Sequence, residues 1–246
     1  MKLVILTLFP QEMAAFFNKG LLGKALKKGL FSLDFVDVRD FGIGRHQAVD
    51  DTPFGGRLGM LGRVDVWDAA IRSVKNYASY QKIFFSPKGR ILKQKQFSDW
   101  VEAKKNLMLI CGYYEGVDAR LMDLHDISCV SLGDFVLTSG ELPALVVADA
   151  CCRLIPGVLG NQESYEEESF TTSLLEHEQY TKPRSFSGIE IPPVLISGHH
   201  QKIKDWKFTS SLRYTLFSRP DLVAKSSLNQ DAQQTIKSII KESSYE

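Results

Sequence analysis

The 246-residue chain is short of several features that mark whole protein classes. It has four cysteines, Cys111, Cys129, Cys151 and Cys152, and none stands in a CxxC pair. Each lies in an apolar run, where an unpaired cysteine acts as a small hydrophobe. That pattern argues against a disulfide framework and a structural zinc site, and it suits a reducing cytoplasm. An excess of one charge is also lacking, since 30 Lys and Arg against 29 Asp and Glu leave a net charge of +1. With no global field, any nucleic-acid contact has to come from a local basic patch. Long hydrophobic runs are missing too. Leu3–Phe9 is closed by Pro10, far short of the roughly 20 residues that a membrane span needs. With only Lys2 before it and no small-x-small cleavage site after it, this run reads as a buried strand rather than a signal-peptide core.

Several catalytic signatures are absent. There is no GxxxxGK[ST], no HExxH and no GxSxG. Gly42-Ile43-Gly44 and Gly56…Gly59…Gly62 miss the dinucleotide spacing, and Asp40-Phe41-Gly42 has no HRD-type loop to accompany it. ATP-driven, NAD-dependent and serine-hydrolase chemistries therefore lose ground. His46 is isolated from other metal ligands, and no metal site is expected.

The first 160 residues alternate strand-like and helix-like patterns. Leu3–Phe9, Phe31–Phe35, Lys82–Ser86, Asn106–Cys111, Ile127–Ser131 and Phe135–Leu137 read as strands. Residues 11–28 read as a helix stopped by Gly29, and 64–78, the stretch around Phe97–Val101, 117–124 and 141–155 as further helices. Strands alternating with helices predict an α/β domain with a mainly parallel sheet. Residues 39–63 are polar, glycine-rich and too long for an ordinary connection. After Gly160 the composition changes. Gln162–Glu168 carries Glu163, Glu166, Glu167 and Glu168, the profile of a solvated tether. Beyond it, Lys202, Lys204, Lys207, Arg213 and Arg219 interleave with Trp206, Phe208, Tyr214 and Phe217. That mixture suits phosphate contact and base stacking, although a helix with a solvated charged face looks the same.

Three glycine-bearing loops follow predicted strands: Ser86-Pro87-Lys88-Gly89, Gly112-Tyr113-Tyr114-Glu115-Gly116, and Leu132-Gly133 through Gly140-Glu141. One such loop is an ordinary tight turn. Three in succession point to a shared pocket, because ligands of open α/β sheets bind beyond the carboxyl ends of the strands, where glycine lets backbone approach closely.

These loops, read together with Leu8-Phe9-Pro10, Arg39-Asp40-Phe41…Arg45-His46…Val49-Asp50-Asp51, Arg153-x-Ile155-Pro156-Gly157, Ser169-Phe170, Tyr180-Thr181-x-Pro183 and Pro192-Pro193-Val194-Leu195-x-Ser197-Gly198, resemble the bacterial tRNA (guanine-N1)-methyltransferase (TrmD) family. The resemblance runs through nearly the whole chain. It implies a SPOUT-type deep trefoil knot in residues 1–160, an acidic flexible linker over 161–176 and a small helical tRNA-binding domain over 177–246. It also implies a homodimer with active sites at the subunit interface, S-adenosylmethionine (SAM) as methyl donor, and transfer to N1 of guanosine 37, immediately 3′ of the tRNA anticodon. Mg2+ is a candidate second cofactor.

Carried onto this sequence, the family pattern makes Glu168 the general base and Arg153 the cation that supports the guanine. The SAM pocket takes Phe84, Phe85, Ser86, Pro87, Gly112, Tyr113, Glu115, Gly116, Leu132, Gly133, Asp134, Phe135, Val136, Leu137, Ser139, Gly140 and Pro143. Contacts to tRNA fall to Arg45, Asp50, Lys202, Lys204 and Lys207. The chain departs from the pattern in having Glu168 where the family places aspartate, Tyr113 for an arginine, Ser139 for a glycine, and Arg57-Leu58 in the loop after Gly56. Those departures keep a second reading open, a catalytically weak RNA-binding paralogue. Methylation of another RNA guanine is a third.

Overall fold

The computed structural model describes residues 1–56, 58–159, 168–170, 174–225 and 230–243. Arg57, Gly160 and the acidic run through Glu163, Glu166 and Glu167 lie outside the described residues. The chain divides into two compact units, Met1–Gly160 and Asn161–Glu246.

In chain order the first unit contains β1 (Lys2–Thr7), α1 (Pro10–Phe17), α2 (Gly20–Lys27), β2 (Ser32–Asp37), β3 (Asp50–Asp51), β4 (Leu61–Gly62), α3 (Val64–Ser73), β5 (Gln81–Ile91), α4 (Gln94–Glu102), β6 (Leu107–Ile110), α5 (Arg120–His125), β7 (Ser128–Ser131) and α6 (Glu141–Cys152). A five-stranded sheet is ordered β2-β1-β6-β5-β7, and every pairing in it is parallel. The continuous apolar strands follow from this arrangement, because a parallel sheet is covered on both faces and alternate residues serve opposite cores. Leu3, Ile5, Leu107 and Leu109 pack with α1, α2, α4 and α6, through Phe17, Leu22, Phe97 and Val147 among others. Val4, Leu6, Met108 and Ile110 pack on the other face with Trp67, Ile71 and Leu121 of α3 and α5. Fully burying an aliphatic side chain of this kind contributes about 1.5–3 kcal/mol, so the middle of the sheet anchors the unit. The four cysteines are free. Cys111, Cys151 and Cys152 are buried, and loss of solvent pushes the Cys152 thiol up to about 12, which makes it a poor nucleophile.

Three sequence expectations are corrected. The helix expected over 11–28 is two helices. Asn18 ends the first, and Gly20 has φ +66°, a left-handed conformation that redirects the chain without a Cβ penalty. Both pieces turn their apolar residues, Met13 and Phe17 then Leu22 and Ala25, to the same core, so the periodicity survives the break. The strand expected to end at Ser86 continues to Ile91 as β5, and its register slips so that Phe85 and Arg90 both oppose Val130 of β7. Phe135–Leu137 is not a strand. Its side chains are exposed and its backbone spans the gap between β7 and α6.

In the second unit, β8 (Ser185–Phe186) and β9 (Ile189–Glu190) form a hairpin, followed by α7 (His200–Ser218), α8 (Pro220–Lys225) and α9 (Gln230–Ser243). Leu174, Leu212, Ala232 and Ile239 make a small core. The Leu175 N–H donates to Thr215 Oγ1 at 2.9 Å, and the Thr215 hydroxyl donates to the Ser211 carbonyl at 2.7 Å. By residue 174 the chain is therefore already part of this core. Among the described residues no helix is long and apolar enough to cross a membrane.

Candidate active site

The slipped middle of β5 and the carboxyl ends of β6 and β7 open into a cleft of about 530 Å³. Its walls are the three glycine-bearing loops, brought together by pairings distant in sequence. Tyr113 bridges Ser139, and the Gly140 N–H donates to the Gly112 carbonyl at 2.9 Å. This close approach leaves no room for side chains. A Cβ on Gly140 would stand 2.7 Å from Cys111 Cα, and one on Gly112 would stand 2.7 Å from Phe84 Cε2. Gly116 has φ +102° and is held from the far side, where its carbonyl accepts the Gly62 N–H at 2.9 Å. The long loop 39–63 is thus part of the framework, since Met60 to Gly62 brace the Gly112–Gly116 loop. Glycine is needed at position 62 because a Cβ there would meet Trp67 Nε1 at 2.4 Å.

Of the residues expected to hold a cofactor, Phe84, Phe85, Ser86, Pro87, Gly112, Glu115, Gly116, Leu132, Phe135, Val136, Leu137, Ser139, Gly140 and Pro143 line this cleft. Tyr113, Gly133 and Asp134 do not. Tyr113 packs its ring against the core of Val4, Leu6 and Trp67, edge-on to Phe9 at 5.5 Å and to Tyr114 at 4.4 Å. Asp134 is exposed, and the Gly133 carbonyl accepts from the Ser131 hydroxyl at 3.0 Å. The structure adds Lys88, Tyr114, Val117, Ala119, Met122 and Thr138 to the lining. Lys88 and Thr138 sit inside loops that the sequence marks by their glycines. Val117 and Met122 reach the cleft only through the packing of α5 and the segment that precedes it.

Beside the cleft, the Thr7 hydroxyl donates to Glu141 Oε1 at 2.7 Å. The other carboxylate oxygen is buried and finds no partner among the described residues. Glu141 opens α6, where the helix dipole favours a carboxylate. Arg153 caps the far end of the same helix, its N–H bonded to the Asp149 carbonyl at 3.0 Å. Arg45 is exposed in a tight turn closed by the Ile43–Ala48 bridge, and Asp50 lies in β3, paired with Gly62 of β4.

Glu168 belongs to the second unit. It is half-buried and lines a separate cavity of about 630 Å³ with Glu176, His177, Glu178, Tyr180 and Lys207. Lys202 and Lys204 are exposed on α7 outside that cavity. Trp206 packs beneath it, 6.2 Å from the His177 ring and 6.2 Å from that of Tyr180. The Tyr180 hydroxyl donates to Glu178 Oε2 at 3.0 Å, and that bond and burial raise the tyrosine pKa. Among the described residues no group of three His, Cys, Asp or Glu is placed to hold a metal ion.

A model of the family described as tRNA (Guanine-1)-methyltransferase TrmD matches residues 1–225. The tRNA (guanine-N(1)-)-methyltransferase of Syntrophomonas wolfei subsp. wolfei is 42% identical, over 98% of this chain and 97% of that protein. Its namesake from Ruegeria sp. strain TM1040 is 49% identical, over 91% of this chain and 92% of that protein. A third, from Clostridium botulinum strain Hall, is 41% identical over 96% and 98% respectively. With the match extending through both units, the chain belongs to the tRNA (guanine-1)-methyltransferase TrmD family.

Proposed function

We propose that this protein methylates N1 of guanosine 37 in tRNA with SAM as donor, acting as a cytoplasmic homodimer. The observation that carries the reading is the cleft between β5 and the ends of β6 and β7, where Gly112 and Gly140 admit no Cβ. Such a cradle suits a ligand read by backbone groups on one side and by rings and aliphatic side chains on the other. Phe84, Phe85, Gly112, Gly116, Leu132, Leu137, Ser139 and Gly140 would hold the donor. When bound, SAM supplies an electrophilic methyl group on a cationic sulfur.

The residues of the chain carry the remaining steps. Guanine N1 bears a proton at neutral pH. The Glu168 carboxylate accepts that proton as N1 takes the methyl group, and the Arg153 guanidinium balances the negative charge growing toward O6. Arginine remains charged across the working pH range, which suits it to that role. Glutamate in place of aspartate keeps the base and lengthens its reach by one methylene. Arg45 and Asp50, with Lys202 and Lys204 exposed on α7, are the groups we assign to tRNA contact.

The same reading takes residues 1–160 as a knotted methyltransferase domain, 177–246 as the tRNA-binding domain and 161–176 as their connection. Two observations support a knot. Phe85 and Arg90 both pair with Val130 across a register slip, and the chain after β7 returns to bridge Ser139 with Tyr113, which follows β6. Dimerisation is supported by apolar side chains left exposed near the cleft, Phe135, Val136, Leu142 and Val146. The test is transfer of labelled methyl from SAM to unmodified tRNA. Label is expected with guanosine at position 37 and not with adenosine there. Binding of both SAM and tRNA without transfer would favour the RNA-binding paralogue instead.

A further inference from the structure

Thr7 ends β1, a strand that contributes no lining to the cleft, and its side chain is fully buried. Its hydroxyl nonetheless serves two of the cleft's walls. As a donor it bonds Glu141 Oε1 at 2.7 Å, and Glu141 follows directly on Gly140. As an acceptor it takes the Phe9 N–H at 3.0 Å, and the Phe9 ring packs edge-on to Tyr113 at 5.5 Å. Gly140 and Tyr114, the chain neighbours of Glu141 and Tyr113, line the cleft from different loops. The Cys111 N–H also donates to the Leu6 carbonyl at 2.9 Å, so β1 and the start of the Gly112–Gly116 loop share one frame. Glu141 is buried as well, and its Oε2 finds no partner among the described residues. A buried acceptor without a donor costs stability, and an apolar side chain of similar size would avoid that cost.

We propose that Thr7 and Glu141 are positioning residues for the methyl donor, the Thr7 hydroxyl being the point at which both walls are tied to β1. The inference rests on SAM being the donor that this cleft holds. Gly140 has almost no latitude, since a Cβ there would stand 2.7 Å from Cys111 Cα. A shift of α6 would therefore move its first turn against or away from the Cys111–Gly112 backbone. The Thr7–Glu141 bond opposes that shift, and because both partners are buried it does not compete with solvent. Hydrogen bonds from backbone to a ligand weaken steeply with misalignment, so donor affinity reports where the walls stand. Neither residue lines the cleft, and both act through Gly140 and the Tyr113–Tyr114 pair.

The test is SAM affinity by calorimetry in the full-length wild type, Thr7→Val, Thr7→Ser, Glu141→Met, Glu141→Gln and the double variant Thr7→Val with Glu141→Met. Urea midpoints are measured alongside. Thr7→Val keeps the shape and removes the hydroxyl, and Glu141→Met removes the acceptor. Each is expected to weaken SAM binding by about tenfold. Thr7→Ser and Glu141→Gln keep the donor and the acceptor, so both should bind as the wild type does. The double variant should bind no more weakly than Thr7→Val, because the two changes remove one interaction. A purely structural role lowers the urea midpoint and the fraction of protein able to bind, but leaves the affinity of the folded fraction alone. Wild-type affinity in both Thr7→Val and Glu141→Met would therefore overturn the inference, whatever the midpoints do. Equal weakening in Thr7→Ser and Thr7→Val would also overturn it, since the effect would then follow side-chain shape and not the hydroxyl. Should Thr7→Val fail to fold, Glu141→Met against Glu141→Gln reads the same bond from its other end. If the wild type itself binds no SAM, the donor assignment has failed and the inference falls with it.

Discussion

The two units build their cavities from different material. In the first, the cleft is walled by rings and aliphatic side chains such as Phe84, Leu132 and Phe135 on one side and by glycine backbone on the other, where Gly112 and Gly140 sit so that a Cβ would overlap neighbouring atoms. In the second, the cavity around Glu168 is walled by ionisable side chains, three carboxylates, a histidine, a tyrosine and a lysine. Added volume is therefore the change expected to disturb the first cavity. Removal of a charge is the change expected to disturb the second. A methyl donor needs shape and close backbone approach, whereas removal of a proton needs a group with a set ionisation state.

The comparison breaks most sharply at Glu168. Glu168→Gln keeps the size and removes the proton acceptor proposed here, so methyl transfer should fall by about 10²–10⁴ while SAM and tRNA still bind. Glu168→Asp should remain active. Single-turnover rates decide the matter, and a near-normal rate in Glu168→Gln would mean that charge does not govern the second cavity.

The converse test adds volume to the first. In Gly140→Ala the new methyl would meet the Cys111 backbone at 2.7 Å, and a strand end cannot move aside as a flexible side chain would. Overpacking of this kind costs about 1–3 kcal/mol, and SAM affinity measured by calorimetry should fall by about two- to tenfold if half of that cost reaches the binding site. Unchanged affinity would show that the cradle is wider than the geometry implies.

A third prediction sharpens the comparison by naming a place in the first unit where charge matters. Asp68 Oδ1 lies 2.7 Å from Nε2 of the buried His125 and 2.8 Å from Arg72 Nε. Burial alone raises the Asp68 pKa, but hydrogen bonds from Arg72 and His125 outweigh it and hold the carboxyl below its ordinary value. A depressed folded pKa means that the stabilisation is complete above the unfolded carboxylate pKa of about 3.9 and is lost as pH falls through the lower folded value. Asp68→Asn should therefore cost about 1–2 kcal/mol near neutrality, with the two proteins converging in acid. Urea midpoints measured at neutral and strongly acidic pH provide the check.

The smallest effect is expected at the surface of the second unit. Lys202→Ala with Lys204→Ala should reduce the salt dependence of tRNA binding by roughly two units of log–log slope, about one for each phosphate no longer neutralised. SAM affinity should not change. A parallel fall in SAM affinity would point to unfolding rather than to weaker phosphate binding.

Much of the first unit is legible in the sequence because its signals are local. A run such as Leu3–Leu6 is apolar at every position because alternate residues enter opposite cores, and the glycines of the cleft lie in the segments that follow β6 and β7. Departures from expectation arise where long-range pairing overrides local signals. Pro87-Lys88-Gly89 reads as the end of a strand, yet β5 continues past it because β7 offers a partner on both sides of the slip. Tyr113 sits in a loop that builds the cleft, but Phe9, more than a hundred residues earlier in the chain, draws its ring into the core.

What the sequence by itself determined is the alternation of strands and helices, the positions where the backbone must turn without a Cβ, and the set of groups able to carry charge. These depend on burial periodicity and on covalent structure, which each residue states for itself. Only the tertiary structure decided which of those groups meet. Ser139 reaches Tyr113, and Lys207 rather than Lys204 shares a cavity with Glu168. Exposure, dielectric and neighbouring charge set the ionisation of a lysine or a glutamate, and all three come from atoms distant in the chain.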